Sequence, residues 1–286
     1  MKTSFLNFFR KCYANSFGEA LLLPLVKNKD ATSSFIGRLV PMPSLFAKPS
    51  WRVVDRNGLR LKLDISDMVD WYIYFDFKDP VLPFLISNLS EDSVMIDVGT
   101  NIGFVSLSCA KHLTHGRVYG FEPSTYNYQK CMKNISLNSV SNVEINQIGL
   151  GKTPSVLSLR SNDQSNHGMS HIDLLEQGDT EKITINTLDN FALSHGLTKM
   201  DLLKIDVEGF ELQVLQGGTK SIQQFKPLIV LEVNENFLNR YGANCNQLFE
   251  WFGLMNYELF TLENKRITTV DFLLLKHQDI VAKPIT

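Results

Sequence analysis

From Val94 onward the chain repeats one arrangement: a short apolar run, a polar or glycine-bearing tip, then a stretch with helical spacing of its apolar residues. No other feature constrains the fold as tightly. Short apolar runs without strict alternation are strands buried on both faces, and intervening helices let such strands lie parallel. The runs at 94–98, 117–121, 143–148, 200–206 and 228–233 read as strands. The stretches 104–112, 125–138, 210–216 and 236–252 read as helices, the last stopped at Gly253. The expectation is an α/β domain with a mostly parallel sheet and helices on both faces, completed by a strand pair at 257–262 and 272–275.

Ahead of this pattern, residues 1–50 read as an N-terminal helix and a linker, 51–90 as a β-hairpin and helix leading into the core, and 91–286 as the main domain. The hairpin is signalled by Asn57-Gly58 between WRVV and LRLKLDI, where Leu59, Leu61, Leu63 and Ile65 alternate with polar residues. Within the main domain, 151–187 is a polar insertion, SNDQSNHGMSHIDLLEQGD between the runs SVLSLR and KITINT. At the carboxyl edge of a parallel sheet it reads either as a lid over a site or, more plainly, as a surface loop.

A hydrophobic content of 44% suits a folded chain. The 28 basic and 30 acidic residues leave a net charge of −2, too little positive charge for a phosphate backbone, so nucleic acid is not an expected partner. Cys12, Cys109, Cys131 and Cys245 form no CxxC pair and read as reduced thiols, which suggests the cytoplasm. No apolar stretch is long enough to span a bilayer. The opening MKTSFLNFFRKCYANSFGEALLLPLV leaves two readings. One is an amphipathic helix packed on the protein; the other is a peripheral contact with an anionic membrane through Phe5, Leu6, Phe8 and Phe9 beside Lys2, Arg10 and Lys11.

The chemistry concentrates at the strand tips. In MIDVGTNIGF a strand ends at Asp97, Gly99 and Gly103 bracket a turn, and a helix starts at Phe104, so backbone can come close to a ligand at the sheet edge. A dinucleotide fingerprint would place glycine at 101 and 104; Asn101 and Phe104 stand there, which excludes NAD. The second tip carries Glu122, 19 residues after Gly103. The third, LLKIDVEGFE, presents Asp206 and Glu208 before Gly209, and helix capping is the plain role for such carboxylates. Lys204, inside a central strand, needs a carboxylate partner such as Asp206 or Glu232. The fourth, PLIVLEVN, ends in Glu232 and Asn234. Asp206, Glu232 and Asn234 make a divalent cation an option that the spacing does not require.

Taken in order, IDVGTNIG, FEP, LLKIDVEGFELQVLQGG and PLIVLEVN, the chain over about 51–262 resembles the FkbM family of methyltransferases. The resemblance implies a class I methyltransferase fold, a Rossmann-like sheet, with S-adenosylmethionine as methyl donor. It further implies transfer usually to oxygen, on a hydroxyl of a saccharide, glycolipid or natural product. Donor contacts are expected at Asp97, Gly99, Asn101, Gly103, Glu122 and Asp206. An alcohol acceptor must lose its proton as the bond forms, and the candidates are Asp206, His167 of the insertion, and Glu232. His171 is a weaker one. A nucleic-acid enzyme acting on exocyclic amines would carry Asn or Asp before Pro-Pro where this chain has DVEG. A binding module without catalysis would be expected to show damage in the glycine turn or at Glu122, and both are intact.

Overall fold

The computed structural model describes residues 2–160, 170–173, 180–273 and 277–285, with backbone alone for 2–5, 8, 9, 270 and 273. The chain forms two compact units, the first taking in 1–80 with 136–138 and the second the remaining described residues. The first unit thus runs to Pro80, within the stretch 51–90. The segment 29–50 is packed, not a free linker: Val40 and Phe46 are buried, and the Trp71 indole donates to the Pro41 carbonyl at 2.7 Å.

The first unit contains α1 (Lys2–Tyr13), α2 (Ser16–Val26), β1 (Trp51–Arg56), β2 (Leu59–Asp64) and α3 (Met68–Tyr74). Asn15 caps α2 by accepting the Gly18 N–H at 3.0 Å. Asn57 and Gly58 adopt φ of 52° and 70°, the left-handed pair that a two-residue hairpin turn requires, and Arg56 pairs with Leu59. Leu59, Leu61 and Leu63 face inward as their alternation predicts. Glu19 is buried, yet it accepts two hydrogen bonds from Arg52 at 2.8 and 2.6 Å and one from the Tyr74 hydroxyl at 2.9 Å. A buried carboxylate is tolerated when donors replace its water, as here.

The second unit opens with α4 (Val81–Ser87), β3 (Val94–Val98), α5 (Phe104–His112), β4 (Arg117–Phe121), α6 (Thr125–Ser136) and β5 (Val143–Asn146). A short segment follows with β6 (Gly149–Leu150), β7 (Ser155–Arg160), β8 (His171–Ile172) and β9 (Glu181–Asn186). The chain continues through α7 (Leu188–Ser194), β10 (Leu202–Ile205), α8 (Glu211–Gly217), α9 (Thr219–Phe225), β11 (Leu228–Asn234), α10 (Glu235–Arg240), α11 (Cys245–Leu254), β12 (Tyr257–Thr261), α12 (Thr269–Leu273) and β13 (His277–Pro284).

The main sheet runs β12-β13-β11-β10-β3-β4-β5, parallel except where β13 lies antiparallel between β11 and β12. Alternate residues go to opposite faces. Ile96, Val98, Leu203, Ile205 and Leu231 pack with Phe191, Leu215, Leu248 and Phe252, while Met95, Leu202, Val230 and Val281 pack with Leu82, Leu85 and Cys109. Helices thus cover both faces, and the fold is the class I methyltransferase α/β architecture.

Three expectations are corrected. The stretch 236–252 is two helices, separated where Gly242 turns at φ 68° and Asn244 caps α11, and α11 runs through Gly253 to Leu254. The partner of β12 is β13, not 272–275, since Phe272 belongs to α12. The insertion is not wholly a polar lid: β7 pairs antiparallel with β8 and β9, β6 joins β9, and Leu159, Ile183 and Ile185 form a small core of their own. Residues 161–169 and 174–179 of the insertion, His167 among them, lie outside the described residues.

Candidate active site

The strand order reverses between β3 and β10, since the chain moves from β3 out through β4 and β5 and returns to add β10 and β11 on the other side. Loops leaving in opposite directions open a crevice beyond the carboxyl ends of the two strands. At the tip of β3, Asp97 is fully buried; Ser106 Oγ donates to its Oδ2 at 2.5 Å, and Lys204 Nζ lies 3.4 Å from its Oδ1. The same ammonium is 3.3 Å from Asp206 Oδ2. Burial opposes the Lys204 charge, but Asp206 and Asp97 outweigh it and hold the amine above its ordinary value. Lys204 therefore bridges a buried carboxylate and an exposed one.

The turn after β3 depends on residues that accept left-handed backbone. Gly99 has φ 86° and Asn101 53°, and a Cβ at Gly99 would come within 1.9 Å of the Asp206 carbonyl oxygen. The Gly99 and Thr100 N–H groups donate to the Phe121 carbonyl at 3.0 and 3.1 Å, so the turn is fastened to the end of β4. Gly103, also at 86°, lies against Cys131, whose Sγ would be 2.5 Å from a Cβ there. Glu122 completes the join: its Oε2 accepts the Asn101 N–H at 2.8 Å and its Oε1 the Ser124 N–H at 2.9 Å. Burial nevertheless pushes its carboxyl up to about 7.

After β10 the chain turns through Glu208 at φ 55° and Gly209 at 105°. Neither Asp206 nor Glu208 caps α8, which has no side-chain cap; Glu211 instead reaches back to brace the turn, its Oε1 accepting the Gly209 N–H at 3.0 Å and the Val207 N–H at 3.4 Å. Glu208 is pushed up to about 8 by burial and then by Asp206, Glu232 and Glu211. At the tip of β11, Asn234 accepts the Asn236 N–H at 3.1 Å and so caps α10. Glu232 Oε1 lies 2.5 Å from His277 Nε2. Burial and then the Asp206 charge raise Glu232, while His277 opposes the shift.

His277 is the functional candidate that the sequence did not announce. It is the first residue of β13, opposite Asn234, and only because β13 runs antiparallel does its start reach the carboxyl edge of the parallel strands. The available signal was that a strand returning beside β12 must begin at that edge. Register places Lys204 beside Asp97 and, two residues before the tips, Val230 beside both Lys204 and Val281. Asp97, Lys204, Asp206, Glu232 and His277 consequently form one polar row across four neighbouring strands. Among the described residues no group of three or more His, Cys, Asp or Glu is placed to hold a metal ion. His171 lies in β8, and the Tyr241 hydroxyl donates to the next carbonyl, of Ile172, at 3.0 Å, while its ring meets Phe210 edge-on at 5.2 Å. The described edge of the insertion is thereby held to the segments that follow β10 and α10.

This architecture has relatives. A family model described as the methyltransferase FkbM domain matches residues 97–259, more than half of the chain. The hexuronic acid methyltransferase AglP of Haloferax volcanii is 30% identical over 183 residues, covering 62% of this chain and 72% of that protein. Methyltransferase 1 of Beauveria bassiana is 27% identical over 176 residues, covering 54% and 68%. Among solved structures, a methyltransferase FkbM from Methylobacillus flagellatus aligns over 93% of this chain with a TM-score of 0.43 and 15% identity, and this chain spans 58% of its length. The matched region runs from Asp97 at the tip of β3 to Leu259 in β12, and so takes in all four strand tips: the chain belongs to the FkbM methyltransferase family.

Proposed function

We propose that the protein transfers a methyl group from S-adenosylmethionine to a hydroxyl of a saccharide, glycolipid or natural-product acceptor, with His277 as the base that takes the hydroxyl proton. The observation that carries this reading is the polar row at the switch point, with a glycine turn and a buried carboxylate at one end and a carboxylate–imidazole pair at the other.

The residues suit the donor. Glu122 is a buried carboxylate that accepts one backbone N–H on each oxygen and a side-chain bond from Asn127, and a lone pair remains for a ribose hydroxyl. Asp206 is an exposed carboxylate suited to the ammonium of the methionine portion. Gly99, Asn101 and Gly103 shape the turn on which that portion would rest. Asp97 holds Lys204 and Ser106, so its contribution is to fix the tip. When bound, S-adenosylmethionine supplies an electrophilic methyl group on a sulfonium leaving group.

What the chain must add is alignment and a proton acceptor. His277, donating Nε2–H to Glu232, keeps Nδ1 unprotonated for the acceptor hydroxyl, and Glu232 steadies the imidazolium that results. Among the described residues Asp206 serves Lys204 and the donor ammonium and Asn234 caps α10, so the His277–Glu232 pair is the base in this reading.

Calorimetric titration of S-adenosylmethionine into the wild type, Glu122→Ala and Asp206→Ala tests the donor site. Binding lost in the variants supports it, and absence of binding by folded wild type refutes it. His277→Ala is expected to keep donor affinity and to lose about 100-fold or more in turnover on methyl glycosides, with partial rescue by added imidazole. Unchanged turnover would remove His277 from the mechanism.

A further inference from the structure

The first unit carries a charge opposite to that of the rest of the chain. Residues 1–80 contain 12 Lys and Arg against 8 Asp and Glu, whereas 81–286 contain 16 against 22. Of its acids, Glu19 is buried against Arg52 and Tyr74, and Asp64, Asp67 and Asp70 are buried as well. Its cations Lys11, Lys27, Lys29, Arg38 and Lys48 are exposed. The charge presented to solvent by this unit is therefore more positive than the residue count alone suggests.

The same unit turns bulky apolar side chains outward. One face of α2 is buried through Gly18, Glu19, Leu22 and Val26. Its other face shows Phe17, Leu21 and Leu25 at 75%, 48% and 53% exposure, spaced so that they line up on one side of the helix. Among the described residues, six of the eleven exposed large apolar side chains fall between 17 and 53, Phe35 at 78% exposure included. Apolar exposure is thus concentrated here and not scattered.

A stripe of phenylalanine and leucine on a unit of net positive charge has a specific complement. A second copy seated two-fold on the same face would bring like charge against like, whereas an anionic bilayer offers an apolar layer under negative headgroups. We propose that α2 is a docking face for an anionic lipid surface, with Phe17, Leu21 and Leu25 entering the headgroup layer and the neighbouring lysines and arginines meeting lipid phosphates. The sequence suggested such a contact on α1, but the side chains of Phe5, Phe8 and Phe9 lie outside the described residues; the exposed stripe is on the following helix. Among the described residues no helix is long and apolar enough to cross a membrane.

The test is co-sedimentation of the full chain with phosphatidylcholine vesicles, with and without phosphatidylglycerol. The expected result is binding to the anionic vesicles alone, lost at about 1 M salt, where the screening length falls to about 3 Å. The triple variant Phe17→Ser/Leu21→Ser/Leu25→Ser should partition about tenfold less or weaker still, with an unchanged circular dichroism spectrum because these side chains are solvent-facing. Leu193→Ser/Leu254→Ser, at exposed apolar positions of the second unit, should bind as wild type does. Equal binding to neutral vesicles, no binding to either, or unchanged binding by the triple variant would overturn the proposal. So would a stable dimer in sedimentation velocity that the triple variant converts to monomer, which would assign the stripe to a second copy.

Discussion

Replacing Lys204 by methionine keeps the stem and removes the ammonium that sits 3.4 Å from Asp97 and 3.3 Å from Asp206. The two carboxylates would respond differently. Asp206 is exposed, so water replaces the lost partner and the loss there is under about 1 kcal/mol. Asp97 is fully buried, and its Oδ1 has no hydrogen-bond donor once the ammonium is gone. Uncompensated buried charge of this kind costs about 3–5 kcal/mol, or a fall in Tm of about 6–20 °C for a unit of this size. Because Lys204 is held above its ordinary value of 10.5, the stabilisation is complete below that pH and is lost only as pH rises through the folded value in the alkaline range. The assay is thermal unfolding of Lys204→Met, Asp97→Asn and the double variant near pH 7. Neutralising Asp97 should recover most of the loss, a coupling of about 2–3 kcal/mol. A single variant within about 1 kcal/mol of wild type, or a double variant no better than Lys204→Met, would refute the reasoning.

Donor affinity should depend on pH through Glu122, pushed up to about 7: ribose hydroxyls favour the carboxylate, so calorimetry should show Kd tightening about tenfold from pH 6 to pH 8. Glu122→Gln should bind weakly and without that slope. Gly99→Ala should fail to accumulate as folded protein, since its Cβ would lie 1.9 Å from backbone oxygen, and circular dichroism would register the loss. The Glu232 carboxylate on the acceptor side should favour a neutral methyl glycoside over the matching uronate by about tenfold in kcat/KM; a preference for the uronate would contradict that electrostatic reading.

Much of the parallel sheet could be read from the chain because its strands are short apolar runs with polar tips, and β3 and β4 fall where the sequence places them. The Asn57-Gly58 hairpin was equally plain, since few dipeptides satisfy its backbone angles. What escaped has a common cause. β13 opens with His277, Gln278 and Asp279 and buries only Ile280, Val281 and Ala282, so its apolar run is shorter than that of the nearby segment 272–275, which drew the assignment. With the strand misplaced, His277 could not be seen at the edge. The break between α10 and α11 is hidden because the separating Gly242 resembles a tolerated interior glycine. Glu211 as the brace of the turn is hidden because it lies within the helix and reaches back to the turn.

The position of β13 also bears on how the protein is made. It leaves the ribosome after β11 and β12, yet it pairs with β11 on one side and β12 on the other. Until it emerges, both neighbours present open edges, which are templates for pairing with other chains. A nascent chain stalled short of residue 277 would therefore hold two adhesive strands as well as an incomplete catalytic pair, and chaperone occupancy should persist until translation passes that point.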